Sequence, residues 1–275
     1  MTTIKKNLYE SRCGGPFFLV CIVSLAIKGT YRGGTQHCCE DSGFHVVENF
    51  SPFPNRVEVD LYGSMLPDKK AGGDFYDFFL IDKDTLAVLI ANVSGKGVPV
   101  ALFMVIAKTL IKNNAQYGLG TKEVFDKVND LLCADNEAGM FVTAFMGYMG
   151  IPTGKSTGVN AGHNLPLVKR GGVFDWLRVK RGLVLAAMRY KEEETKFEPG
   201  DILYLYTDGV TEAVTSRQEL FSEARLLEVA IVHEETQDLR EFTVSIRQKF
   251  DAFTRETEQA DDITMLALRY KGGTK

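Results

Sequence analysis

The sequence predicts an α+β fold, with helices packed on largely antiparallel sheets. Three observations point there. Short apolar or alternating runs come in consecutive blocks between Gly, Pro and Asn, instead of alternating one for one with helices. Two helical patterns follow each other directly between residues 99 and 134. A third helical pattern precedes one closing strand. This order argues against a doubly wound βαβ sheet, and the chain contains no internal repeat.

Leu86-Ala87-Val88-Leu89-Ile90-Ala91 is an unbroken apolar strip between Asp84 and Gly95, as expected of a strand buried on both faces. Pro99 then opens a helix in which Leu102, Val105, Ile106, Thr109 and Leu110 are expected to form the buried stripe. Thr121 is placed to cap a second helix whose stripe is Val124, Phe125, Val128, Leu131 and Leu132. Strands are predicted over Met140 to Met149, Leu165 to Lys169, Val173 to Leu177, Ile202 to Tyr206 and Ile263 to Tyr270. Arg170-Gly171-Gly172 turns one hairpin. Leu239, Phe242, Ile246, Phe250 and Phe253 mark the last long helix.

Of the 275 residues, 32 are basic and 36 acidic, a net charge of −4 with no long basic face, so tracking of a nucleic-acid backbone is excluded as the main activity. Cys13, Cys21, Cys38 and Cys39 precede residue 40 and only Cys133 follows. That pattern is neither a disulfide framework nor a zinc spacing, and the body of the chain reads as a reduced, cytoplasmic one. Residues 1–48 differ in texture from the domain expected over 49–272. Their apolar run Phe17–Ile27 is too short to span a bilayer, which takes about 20 residues. It is readable as a signal-peptide core without a clear cleavage site, an anchor stub in contact with a membrane, a buried strand or a segment with no settled structure.

Acidic residues stand where strands meet glycine turns: Gly72-Gly73-Asp74 with Asp77, Thr207-Asp208-Gly209, and Asp261-Asp262. Hard divalent cations take several oxygen ligands, so aspartates gathered from distant strand ends suit them. The competing reading is that each Asp merely caps its turn.

Several motifs agree in order and spacing with one family. Gly72-Gly73-Asp74-Phe75-Tyr76-Asp77 and Val93-Ser94-Gly95-Lys96-Gly97-Val98-Pro99 come first, followed by Met140 to Phe145 and Asn160-Ala161-Gly162-His163-Asn164. Pro199-Gly200-Asp201, Leu205 to Ala213 and Asp261-Asp262-Ile263-Thr264 complete the series. From about Ser51 to Tyr270 the chain resembles the SpoIIE/RsbU branch of the metal-dependent (PPM, type 2C-like) protein serine/threonine phosphatases. The resemblance implies an α-β-β-α sandwich holding two Mn²⁺ or Mg²⁺ ions, whose activated water attacks phosphoserine or phosphothreonine in line. It implies Asp74, Asp208 and Asp261 as catalytic metal ligands. Asn92, Val93 and Asp262 fill out the metal set, with Asp262 orienting its neighbour. It further implies a phosphorylated protein partner of the anti-sigma-factor-antagonist kind, and homodimerisation, which occurs in relatives.

One departure from the family stands out. The strip ends in Asn92 where the family has the aspartate expected to bridge both ions. An amide brings one ligand oxygen and no charge, so a pseudophosphatase that binds the phosphorylated partner without hydrolysing it is the alternative. Gly150, Val100 and Ser222 also depart from the family, the last where Gly is usual. Ser94 supplies no general acid at its position. His163 is expected to be a polar loop histidine making local hydrogen bonds, with catalysis or a third metal position as the alternative. Lys69, Lys70 and Lys96 are candidates to attract phosphate, against a solvated-surface reading. A phospho-accepting receiver domain is the weakest reading, since regular βα alternation is lacking.

Overall fold

The computed structural model describes residues 56–68, 72–134, 136–186, 190–233, 236 and 238–273. The expectations for residues 1–48, for Phe17–Ile27, for the four early cysteines and for Lys69 and Lys70 lie outside them.

Two sheets form. The first has the order β1 (Val59–Leu66), β11 (Ile263–Tyr270), β10 (Ile202–Tyr206), β6 (Leu167–Arg170), β7 (Val173–Trp176). The second has the order β2 (Asp74–Leu80), β3 (Thr85–Val93), β4 (Val142–Gly150), β5 (Lys155–Ala161), β8 (Arg181–Gly182), with β9 (Glu193–Lys196) also pairing β5. Every pairing is antiparallel except β5 with β8. The Arg170↔Val173 pair closes a two-residue turn in which Gly171 and Gly172 have φ of 56° and 90°, the left-handed pair a twisted hairpin demands.

Strand alternation divides the apolar residues into layers. On β3, Leu86, Val88 and Ile90 point between the sheets, where Phe78, Phe145, Leu203, Leu205, Leu266 and Leu268 meet them. The alternate residues Ala87, Leu89, Ala91 and Val93 face helices α1 (Val98–Gln116) and α2 (Thr121–Ala134). On the far side, Tyr204, Tyr206, Met265 and Ala267 face α4 (Ser222–Val232) and α5 (Leu239–Phe253), beyond the one-turn α3 (Asp208–Thr211). Burial on both faces of β3 explains its unbroken apolar strip. The layers run helix, sheet, sheet, helix.

α2 buries Val124, Phe125, Val128 and Leu132 of its predicted stripe, while Leu131, expected in it, lies one step round the helix and is exposed. α1 does not follow the expected stripe. Val100, Phe103, Met104, Ala107 and Ile111 are buried, while Leu102 is 40% and Ile106 52% exposed. The helix is apolar around most of its girth, and the sheet accepted the side with the small Ala107, which allows close approach. α1 is also the one described helix long and apolar enough to cross a membrane. Lys112 and Lys108 tie it to Asp77 of β2 at 3.0 and 3.9 Å, as befits a helix of the core.

Ser222, where the family has Gly, sits at φ 68°. A side chain in the left-handed region costs roughly 1 kcal/mol. Ser222→Gly is therefore expected to stabilise the protein by about that amount, read as a rise of about 2–4 °C in the thermal midpoint.

Candidate metal centre

The site forms because both sheets end at the same side of the sandwich with acidic residues on their facing surfaces. Asp74 opens β2 and pairs in register with Asn92 on β3. Asn92 continues the inward parity of Leu86, Val88 and Ile90, so its side chain meets those rising from the other sheet. From that sheet come Thr207 and Asp208 after β10, and Asp261 and Asp262 before β11.

Hydrogen bonds fix the arrangement. Thr207 Oγ1 donates to Asp74 Oδ2 at 2.7 Å and accepts from the Thr264 amide at 3.1 Å. Asp262 Oδ1 accepts from the Asp68 amide, while its Oδ2 accepts from the amides of Gly73 and Asp74, at 2.8, 2.9 and 3.3 Å. Asp262 thus clamps the loop that presents Asp74. The approach is so close that a Cβ on Gly72 would lie 2.0 Å from Asp262 Oδ2, and one on Gly209 would lie 1.9 Å from the Asp262 carbonyl oxygen. Asn92 Nδ2 donates to Asp208 Oδ1 at 2.9 Å. The amide of Val93 donates to the Gly73 carbonyl at 3.1 Å, tying the strand end to the loop. Lys96 Nζ donates to the Ala260 carbonyl at 2.6 Å and lies 3.7 Å from Asp68. A shallow pocket of about 20 Å³, lined by Gly73, Asn92, Lys96 and Asp261 among others, opens here. That is room for one water-sized body.

The electrostatics are those of carboxylates crowded without enough countercharge. Burial holds the Asp74 carboxyl well above the usual range against the hydroxyls of Thr207 and Thr264, and the charges of Asp262 and Asp208 push the same way as burial. Asp208 is raised by burial and then by Asp261, against the Asn92 hydrogen bond. Glu212, four residues after Asp208, is raised by partial burial and by Asp208 and Asp261. Asp74 Oδ1 is buried with no hydrogen-bond partner. Buried polar atoms are nearly always satisfied, so this orphaned oxygen suits a hard cation, and the oxygen donors around it fit Mn²⁺ or Mg²⁺. As the side chains stand, however, no three His, Cys, Asp or Glu among the described residues close into a metal cage. Asn92 is one physical reason: it turns its N–H₂ on Asp208, satisfying that carboxylate where an aspartate would offer an oxygen.

Asp74, Asn92, Asp208, Asp261 and Asp262 therefore come together, and Asp77 does not. It projects from the opposite face of β2 to the lysines of α1. His163 stands in its loop with the local hydrogen bonds expected of it, and its ring also reaches across the site. Asn160 closes the turn around Gly162 (φ 71°), accepting from the His163 amide at 2.8 Å and donating to its carbonyl at 3.1 Å. The imidazole is thereby driven between the sheets, 2% exposed. Nε2 lies 3.1 Å from the Tyr206 carbonyl, which only accepts, so Nε2 carries the proton. Nδ1 accepts from Thr143 Oγ1 at 3.0 Å. Thr143 pairs with Asn92 in register, and Tyr206 precedes Thr207. His163 is thus a strut between the two halves of the site. Thr207 and Glu212 lie within the Leu205 to Ala213 motif but were given no role of their own in sequence.

Comparison with known proteins agrees with this architecture. The family model described as stage II sporulation protein E (SpoIIE) matches residues 82–271. Protein IcfG of Synechocystis sp. is 28% identical over 90% of this chain and 44% of its own length. Phosphoserine phosphatase RsbU of Bacillus subtilis is 29% identical over 79% of this chain and 65% of its own. The chain thus spans less than two thirds of these relatives. Among solved structures, the RsbU and RsbW domains of Rv1364c from Mycobacterium tuberculosis superpose with a TM-score of 0.70 at 22% identity, covering 79% of this chain and 61% of that one. The SiaA-PP2C domain of Pseudomonas aeruginosa gives 0.69 at 21%, covering 76% and 85%. The fold is that of the PP2C-type phosphatase domains.

Proposed function

Since the chain belongs to the SpoIIE family, we propose that it is a metal-dependent protein serine/threonine phosphatase of the bacterial partner-switching type. Its substrate is phosphoserine or phosphothreonine on a small regulatory protein such as an anti-sigma-factor antagonist. The domain over 49–272 acts in the cytoplasm, alone or as a homodimer, with residues 1–48 a separate segment. The observation that supports this reading is a run of neighbouring carboxylates, Asp74 raised by the charge of Asp208 and Asp208 by that of Asp261, with Asp74 Oδ1 buried without a hydrogen-bond partner. Relatives named phosphoserine phosphatases, RsbU and RsbP of Bacillus subtilis, support it.

Asp74, Asp208 and Asp261 would hold two Mn²⁺ or Mg²⁺ ions, with Asn92 and Val93 at the strand end. Such ions supply a water of lowered pKa and positive charge for the phosphoryl oxygens. The chain's own groups do the positioning. Thr207 fixes the rotamer of Asp74, and Asp262 fixes its loop. Lys96, at the pocket mouth, faces an incoming phosphate with a positive charge. A second reading, a pseudophosphatase that holds the phosphorylated partner, is favoured by one observation: the Asn92 amide already satisfies Asp208.

Calorimetric titration with Mn²⁺ and hydrolysis of a phosphoserine peptide test the proposal, with Asp74→Asn as the comparison. The unmodified protein is expected to bind Mn²⁺, to melt higher in its presence and to hydrolyse the peptide. Asp74→Asn should lose all three. In EDTA the same variant should be more stable by about 1–3 kcal/mol, because it removes a buried carboxylate one of whose oxygens has no donor. No Mn²⁺ uptake by the unmodified protein would sink the metal reading, and uptake without turnover would select the binding protein.

A further inference from the structure

Among the described residues, Phe141 is the only exposed phenylalanine, at 41%. It stands just before β4, and the strand's register places it. Val142 pairs with Val93 and Thr143 with Asn92. One step further out, the Ser94 amide donates to the Phe141 carbonyl at 2.9 Å, so the ladder runs on to these two residues. Side chains alternate along a strand, which puts Phe141 on the same side of the sheet as Thr143. That side is the one of the metal centre, since the Thr143 hydroxyl holds the His163 ring between the sheets. Phe145, further along the same side, is 2% exposed and packs between the sheets. Phe141 is left uncovered at the end of the sandwich where the carboxylates stand.

The exposed ring stands on a fixed backbone. Ser94 Oγ accepts from the Phe141 amide at 3.0 Å. Asn136 Oδ1 accepts from the Met140 amide at 2.9 Å, and its Nδ2 donates to the Met140 carbonyl at 2.6 Å. The amides and carbonyls of both residues are thereby satisfied, and they would be satisfied with any side chain at position 141. Neither the local backbone nor the packed layers call for phenylalanine there. An aromatic ring held in place and left partly bare beside a site is suited to contact with a ligand, because little freedom is lost when the contact forms.

We propose that Phe141 is a specificity-determining residue of the phosphatase site, its ring receiving an apolar side chain next to the phosphoserine of the substrate. The proposal rests on the phosphatase reading and adds to it the chemistry of the residues flanking the phosphate.

The test uses the full chain loaded with Mn²⁺ and two fluorescein-labelled peptides. Each carries the phosphonate analogue of phosphoserine, in which a methylene replaces the ester oxygen so that turnover cannot interfere. One has leucine on both sides of the analogue, the other glycine. Fluorescence anisotropy is expected to show the leucine peptide bound at least about tenfold more tightly, the scale of one apolar side chain covered. Phe141→Ala should bring the two affinities to within about twofold of each other by weakening the leucine peptide. Phe141→Gln serves if the alanine variant does not fold, as judged by circular dichroism. A purely structural role would weaken both peptides together and leave their ratio, and that outcome overturns the proposal. So does equal binding of the two peptides by the unmodified protein, which would leave the phosphatase reading standing. Binding of neither peptide by the Mn²⁺-loaded protein would overturn that reading and this proposal with it.

Discussion

Asn92→Asp is expected to raise Mn²⁺ affinity and Mn²⁺-dependent turnover by at least 10–100-fold, the range lost when even an outer partner of a metal ligand is removed. In the present chain the position donates: Asn92 Nδ2 gives its hydrogen to Asp208 Oδ1 at 2.9 Å. An aspartate there replaces a donor with an acceptor facing another acceptor. Without metal that is unfavourable, since Asp208 loses its partner and is already raised by burial and by Asp261. The variant should be less stable than the parent in EDTA by about 1–3 kcal/mol. With Mn²⁺ the order reverses, because binding to the folded state alone adds about 2.7 kcal/mol at a hundredfold excess over the dissociation constant. The checks are isothermal titration, thermal midpoints with and without Mn²⁺, and phosphopeptide hydrolysis. A variant that binds Mn²⁺ no better than the parent would mean position 92 is not part of the ion site. Turnover appearing only in the variant would make the parent a binding protein with phosphatase architecture.

The parts of this molecule that could be read from sequence are those in which one physical requirement dominates. α2 was legible because most of its apolar residues occupy one side and most of the rest are polar or charged, Leu131 being the apolar residue left outside that side. α1 was legible as a helix but not in orientation, since Leu102 and Ile106 are as apolar as the Phe103 and Met104 that are buried. β9, Glu-Glu-Thr-Lys, shows no hydrophobic signal; it exists only because the edge of β5 is there to pair with. β5 itself is thin in apolar residues because Ser156 and Gly158 occupy its inward positions. The candidate site followed from motifs of Asp beside Gly, and Gly72 and Gly209 show why: Asp262 comes too near for any side chain. What motif order left out was direction. Asp77 and Asp74 belong to one motif, yet strand parity sends them to opposite faces of β2. His163 sits in a polar Asn-Ala-Gly-His-Asn turn, and only the fold reveals that Asn160 bends that turn inward.

The buried strut sets the second large effect. Burial pushes His163 down to about 4, with the charge of Arg181 adding to it and the Tyr206 hydrogen bond opposing it. In the unfolded chain a histidine titrates near 6.5. The folded pKa is the lower one, so the unfolded state takes up the proton first. The stability this neutral ring contributes is intact above pH 6.5 and is lost as pH falls toward 4. By pH 4.5 the loss reaches about 3 kcal/mol. Asp74 and Asp208, with raised pKa values, act in the opposite sense as they protonate. The quantity to measure is therefore the difference between the parent and His163→Gln in urea unfolding at pH 7.5 and at pH 4.5. At pH 7.5 the glutamine variant should be the less stable by about 2–4 kcal/mol, having lost the hydroxyl bond from Thr143 and the ring's packing. At pH 4.5 that gap should close by most of the 3 kcal/mol. Because the strut joins Thr143, beside Asn92, to Tyr206, beside Thr207, the variant should also show a smaller rise in thermal midpoint on adding Mn²⁺ at pH 7.5. A gap that stays constant with pH would mean that the imidazole is protonated in the folded protein and that Thr143 accepts from it.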